Sequence, residues 1–418
     1  MFRKKKLKIA IFHCSMVYSG GGERIVLGQI EGLRKRGYEV SCFTPIFDKK
    51  RCYPDVIDNY PIYTFLPQLP EFFPFRHGIL LLLTSLFIPF LAFRFRKFDL
   101  FIGENQPGTW LAFVVSKILR KPYIIYTCHP NKIIYPRKLS RKQIWKNQPD
   151  FYWLSILFEP FKPVLKFLDR LSFSGSKLSV LTNGFFIGRE FGRIYHVRWK
   201  GCPCGASVIP WEEIKKNFQS IYKRPYILFI GRHEVWKRID LVIKAMVKIV
   251  KKMPNVDLII PGPYTNHTYE LIALTKKLGL EEKVKFIGEV NQEELSQLYQ
   301  KAVVFVFSSK REDFGIAMVE AMSYGVPVVA WNSGGPTDIV LDGKTGFLAT
   351  PFSLDDFAEK TIRILKDKRL RRKMSLGSWQ RVRDHFSWKR HLDILEEEIK
   401  KALSLNLNKK EDYVRKNF

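Results

Sequence analysis

Arg311-Glu312-Asp313-Phe314-Gly315-Ile316-Ala317-Met318-Val319-Glu320-Ala321-Met322 runs on through Gly325-Val326-Pro327-Val328-Val329-Ala330 to Asn332-Ser333-Gly334-Gly335-Pro336, and the reading of the chain turns on this stretch. The run before it, Val303 to Phe307, is apolar without alternation, as expected of a strand buried on both faces of a parallel sheet. The segment after such a strand lies at its carboxyl edge, where open α/β sheets bind ligands. A helix starting near Phe314 would aim free backbone N–H groups and a positive dipole end at that edge. A diphosphate suits such a place. With Glu312 in the loop and Glu320 two turns inside the helix, both carboxylates can reach one ligand, although eight helical steps alone would leave them about 80° apart. Carboxylates are good acceptors for paired hydroxyls. Taken one at a time, the same residues read as a helix-start carboxylate and a solvated surface residue.

Phe314-Gly315, the strand at Pro327 and the turn Gly334-Gly335-Pro336 occur together, and with the two glutamates they resemble the Glu-x7-Glu motif of the retaining GT-B glycosyltransferases of family 4, the glycogen-synthase-like group. The resemblance implies two Rossmann-like α/β domains facing each other across a cleft and a nucleotide diphosphate sugar as donor. It places Glu312 near the donor sugar, Glu320 on the ribose, and the backbone amides around Phe314, Gly315 and Ile316 on the diphosphate.

A chain of 418 residues with 46% apolar content exceeds one ordinary core, so two domains of roughly 200 residues are expected. The net charge is +30. Residues 1–200 hold 33 Lys+Arg against 13 Asp+Glu, a surplus of 20, and the remainder holds 37 against 27, a surplus of 10. The surplus favours an anionic partner: a membrane surface, nucleic acid or a phosphorylated substrate. Nucleic acid is disfavoured, since no zinc-finger spacing, aromatic RNA-binding motif or basic repeat is found. The six cysteines lie in the first half, with no cleavable leader in view, which suggests reduced thiols and a cytoplasmic protein. Cys202-Pro203-Cys204 has one residue between its sulfurs and no second pair at zinc spacing, so no metal is assigned.

Lys8 to Phe12 reads as a first buried strand, followed by the loop Ser19-Gly20-Gly21-Gly22, an amphipathic helix from Glu23 to Arg36 and a strand from Glu39 to Thr44. The glycines do not fit Gly-x-Gly-x-x-Gly, which disfavours a nicotinamide dehydrogenase. Gly78 to Phe93 is the most apolar stretch, 16 residues between Arg76 and the group Arg94, Arg96 and Lys97. That is short of the ~20 residues of a spanning helix, so contact with one leaflet of an anionic membrane is expected, ahead of packing inside the N-terminal domain. Irregular sequence from Tyr195 to Pro225 marks the boundary between an N-terminal domain at 1–205 and a C-terminal one at 206–387. Strands are expected at Tyr226–Ile230, Val256–Ile260, Val284–Ile287, Val303–Phe307 and Pro327–Ala330. A helix over 388–405 is expected to cross back, and 406–418 to be a flexible tail.

Gly231-Arg232 ends a strand, and Lys237 stands five residues on, before a helix starting near Ile239. Two cations at a strand edge can neutralise a leaving diphosphate without a metal. The chain has no Asp-x-Asp, the metal-holding motif of most GT-A transferases. By resemblance Arg232 and Lys237 match Gly-Arg-x4-Lys-Gly, which binds the donor diphosphate, and Arg238 stands where the family has glycine. Tyr123 to Thr127 reads as a strand ending in Cys128-His129-Pro130, and His129 resembles the family's active-site histidine, which contacts the donor sugar. Gly21 and Gly22 match its donor loop. Glu104 and Asn105 come after the strand Leu100–Ile102 at the same edge and are candidates for the acceptor.

The Gly-Gly-Gly-Glu-Arg loop, Tyr126 to Pro130 and Asn332 to Pro336 are most similar to the α-mannosyltransferases that act on lipid-linked oligosaccharides. This implies GDP-mannose, a lipid-linked or glycan acceptor, no cofactor or metal, and work at the cytoplasmic face of a membrane. Catalysis would be mainly electrostatic, with domain closure excluding water. A sugar phosphorylase or epimerase on the same fold, or a non-catalytic basic membrane-binding protein, stays open as an alternative.

Overall fold

The computed structural model describes residues 6–73, 75–131, 134–135, 159–217 and 225–417. Among these, the strands form two sheets in which every pairing is parallel. The first comprises β1 (Lys8–His13), β2 (Glu39–Thr44), β3 (Ile62–Thr64), β4 (Leu100–Glu104), β5 (Tyr123–Thr127), β6 (Val180–Thr182) and β7 (Trp199–Gly201), in the order β3-β2-β1-β4-β5-β6-β7. The second comprises β8 (Tyr226–Leu228), β9 (Asp257–Pro261), β10 (Val284–Gly288), β11 (Val304–Phe307), β12 (Val328–Trp331) and β13 (Gly346–Ala349), in the order β10-β9-β8-β11-β12-β13. Strand order reverses between β1 and β4 in one sheet and between β8 and β11 in the other. Crevices open at such switch points, beyond the carboxyl ends of the strands. The chain divides into a unit of residues 1–203 with 391–418 and a unit of residues 204–390.

Apolar strands explain the first unit. β4 and β5 are buried along their whole length. Phe12 stacks on Phe101 with ring centres 5.6 Å apart, and Phe65 and Phe95 meet Phe12 edge-on. The stretch expected at 78–93 is a helix, Arg76–Leu91, continued by a 3₁₀ turn, Ala92–Phe95. Together they make 20 residues, long and apolar enough by length and composition to cross a membrane. Leu80, Thr84 and Ile88, four residues apart, face inward. Leu82, Leu86, Phe87, Phe90 and Phe93 are exposed, so the helix is neither wholly packed in the domain nor free of it.

The last helix runs from Trp388 to Asn417, through the segment expected as a tail. From His391 on it belongs to the first unit. Arg36 clamps it through Asp393 at 2.7 Å and Glu396 at 2.8 Å, and Leu392 lies against Gly32 of the helix Gly21–Lys35. The second unit closes around Trp331, Phe229, Met246, Met374 and Phe357. Its amphipathic helices Ile239–Lys252 and Leu354–Lys366 bury their apolar stripes there.

Candidate active site

In the second unit, β8 and β11 deliver two loops to the switch point. After β8 come Gly231, the exposed Arg232 and the 3₁₀ turn Val235–Lys237. After β11 come Ser308 and the loop to Glu312. The loops meet where Lys237 Nζ lies 2.8 Å from Glu312 Oε2, both side chains about one-fifth exposed. The ammonium also sits over the Phe307 ring at 5.5 Å, and Ser308 Oγ donates to the Lys237 carbonyl at 2.8 Å. Arg238, which stands in place of the family's glycine, has φ 52°, the left-handed conformation glycine adopts without strain. Its guanidinium holds Asp240 through two bonds of 2.8 and 3.0 Å. The turn therefore keeps its glycine-like path, and a bidentate ion pair offsets the strain. Burial pushes the Asp240 carboxyl up, but the bonds from Arg238 outweigh it and hold the group below the usual range.

The helix expected near Phe314 begins at Ile316 and ends at Ser323, because Gly315 takes φ 102° and ends the loop there. Glu320 therefore stands about one turn inside the helix, not two. The residue at the N-terminal boundary of this helix, Gly315, has no side chain of its own to cap it. Phe314 is buried against Phe386, so it offers the site only its backbone. Gly334 and Gly335 allow the next loop to lie against this one. A Cβ on Gly334 would stand 2.7 Å from the Glu312 carbonyl oxygen, and one on Gly335 2.6 Å from Phe314 Cα. The Gly335 N–H donates to that Glu312 carbonyl at 2.8 Å. Glu320 Oε2 accepts from Tyr299 OH at 2.9 Å, and Tyr299 stacks on Tyr324.

In the first unit, His13 ends β1 and Glu104 ends β4, paired in register across the switch point. His13 Nδ1 lies 3.3 Å from Glu104 Oε2, and both side chains are almost wholly buried. Burial raises the Glu104 carboxyl, against the pull of His13. Gly21 and Gly22 open the helix Gly21–Lys35, and Gly22 passes over the His13 ring. Asn105 has φ 51°, and its side-chain oxygen accepts from the Cys128 N–H at 2.9 Å, tying β4 to the end of β5. Glu104 is 1% and Asn105 5% exposed. Both candidate acceptor residues therefore lie buried at this edge. His129 is half-buried beyond β5, with Nδ1 3.1 Å from the Pro130 carbonyl oxygen and its own carbonyl accepting from Thr127 Oγ1 at 3.3 Å.

Lys237 and Glu312 thus touch, Arg232 shares their edge, and Gly315 and Ile316 share their loop. His129, Gly21 and Gly22 belong to the other unit. Sequence reasoning missed His13. His13 was within reach, as the residue ending the first strand. Among the described residues no group of His, Cys, Asp and Glu could hold a metal ion.

With this geometry in view, residues 19–159 match Glycosyltransferase Family 4, and residues 211–378 match the glycosyl transferases group 1 family. The chain is a glycosyltransferase with the GT-B fold. It is 27% identical over 95% of its length to the alpha-1,3/1,6-mannosyltransferase ALG2 of Dictyostelium discoideum, covering 99% of that protein. A solved sucrose-phosphate synthase from Thermosynechococcus elongatus shares the fold with a TM-score of 0.74 at 20% identity, over 96% of this chain and all of that one. Anabaena HepE, solved in complex with UDP, does so with a TM-score of 0.73 at 19% identity, over 94% of this chain and all of that one.

Proposed function

We propose that the protein transfers mannose from GDP-mannose to a lipid-linked or glycan acceptor, with retention at the anomeric carbon. The observation that carries this reading is the Lys237–Glu312 contact at the switch point, in the loop that leads to the helix start at Ile316. Similarity to ALG2 along nearly the whole chain supports mannose as the sugar. Arg232, Lys237 and the N–H groups at Gly315 and Ile316 would take the diphosphate and stabilise its charge as the glycosidic bond breaks. Lys237 exchanges the Glu312 carboxylate for phosphate, which leaves Glu312 to position the sugar. Glu320, held by Tyr299, orients the ribose. His129 is assigned to the sugar and the Gly21-Gly22 loop to the donor, as in the family motif they resemble. Two cations and a helix dipole suffice for the leaving group, so turnover needs no metal.

Acceptor delivery is assigned to the run Arg76–Phe95 with Phe72, Phe73 and Phe75, whose exposed rings and basic flanks suit an anionic bilayer at the cytoplasmic face. The test is a panel of GDP- and UDP-sugars incubated with a lipid-linked oligosaccharide, with NMR of the product's anomeric proton. Selective use of GDP-mannose giving an α-linkage, lost in Lys237→Ala, supports the reading, and a different preferred donor or an inverted product overturns it. Flotation with anionic liposomes tests the membrane arm: Phe90→Asp with Phe93→Asp should abolish co-flotation, and unchanged co-flotation refutes that arm.

A further inference from the structure

The end of β1 carries chemistry the transfer reaction does not use. Cys14 Sγ is 3.8 Å from His13 Nε2, and His13 Nδ1 is 3.3 Å from Glu104 Oε2. Cys14 is half-buried and outside any disulfide, while the histidine and the glutamate beneath it are closed off from solvent. The order sulfur, imidazole, carboxylate is that of an activated nucleophile, its base and the group that orients the base. We propose that Cys14 is a reactive thiol and a covalent modification site for soft alkylating electrophiles, activated by the His13–Glu104 pair.

The surroundings favour charge on the ring. Burial alone would push the His13 imidazole down, yet Cys14 and Glu104 outweigh it and hold the group well above its ordinary range. Gln29, from the helix Gly21–Lys35, completes the polar lining around Glu104. The carboxylate lies against Nδ1, and Nε2 faces the sulfur. With the ring holding its proton at Nε2, sulfur attacks as the thiolate and forms a bond to the electrophilic carbon, and the bond to the leaving group breaks as that group departs with its electron pair. A buried His–Glu pair also serves as a strut between strands, but a strut would leave the neighbouring sulfur with ordinary reactivity. The site has a functional setting, because Gly22 lies against the same ring. On the reading of that loop as a donor contact, an adduct on Cys14 would hinder transfer.

The experiment alkylates the full-length protein with limiting iodoacetamide at neutral pH and measures site-by-site rates by mass spectrometry. Cys128, also half-buried on this edge and outside any disulfide, is the internal reference. Thiol alkylation runs through the anion, and the charged imidazole 3.8 Å from the sulfur stabilises that anion as it attacks, so Cys14 should react roughly five- to tenfold faster than Cys128. His13→Gln should bring the two rates together. Glu104→Gln, nearly isosteric, should lower the Cys14 rate at least twofold if the larger change disturbs folding. Equal rates in the wild type, or a Cys14 rate unmoved by both substitutions, overturns the proposal. Neither outcome depends on the donor or acceptor being as proposed.

Discussion

Asp169, in the helix Lys162–Ser174, gives the sharpest test of the electrostatics. Its side chain is fully buried and accepts from Trp110 Nε1 at 2.9 Å, from Tyr195 OH at 2.7 Å and from Gln106 Nε2. Burial pushes its carboxyl up and the three donors pull it down, leaving it raised from 3.8 to about 6. An acid raised in the folded state favours its neutral form. The stability it contributes is present below the unfolded value of 3.8 and is lost as pH rises through about 6. The full loss is about 3 kcal/mol, at about 1.4 kcal/mol per unit, and about 2.5 kcal/mol of it falls between pH 4 and 7.5. Asn at this position keeps the acceptor for Gln106 and Trp110 and donates to the Tyr195 oxygen, whose hydroxyl can turn. Asp169→Asn therefore gains about 2.5 kcal/mol on wild type over that pH range. Urea denaturation of both proteins in parallel at pH 4, 5.5 and 7.5 measures this, because other titrating groups cancel in the difference. A pH-independent difference would refute the reasoning. A trend of opposite sign would show that the three donors hold the carboxylate charged more strongly than burial opposes it.

Lys237→Ala, which removes a cation from the proposed leaving-group site, is expected to lower kcat by about 10²–10³-fold, and Glu312→Gln to lower turnover while donor binding by calorimetry persists. Equal turnover in all three proteins would dismiss the assignment. Gly262 has φ 150°, and a Cβ there would stand 2.1 Å from the Gly231 carbonyl oxygen, so Gly262→Ala should cost about 3 kcal/mol and lower Tm by roughly 6–12 °C by calorimetry. His391, buried against Tyr126 with Nδ1 2.9 Å from the Pro203 carbonyl oxygen, is pushed down to about 4, chiefly by burial. Its contribution is whole above the unfolded value of 6.5 and is lost as pH falls toward about 4. The wild type should lose about 1.4 kcal/mol from this group between pH 7.5 and 5.5, a decline that His391→Gln flattens in denaturant titrations.

The long buried strands were legible because local pattern suffices for them. β2 and β5 have the bounds read from their apolar runs, and β1, β9 and β11 differ by a residue or two. The short strands β3, β6 and β7, three residues each, and β13 escaped notice, since a period of two needs more residues than these to show. The site divides in the same way. Arg232, Lys237, Glu312 and Glu320 were legible through their spacing from strand ends, because a strand's carboxyl edge is fixed by local sequence. Tertiary structure alone decided what each residue touches. Parallel pairing brought His13 beside Glu104, 91 residues apart, and buried that candidate acceptor residue against the ring. The fold also joined Lys237 to Glu312 and Glu320 to Tyr299, and gave the apolar helix at 76–91 one buried and one exposed face. The reason is physical: strand and helix periods depend on neighbours along the chain, whereas ion pairs, pKa shifts and burial depend on groups that only folding brings within a few ångströms.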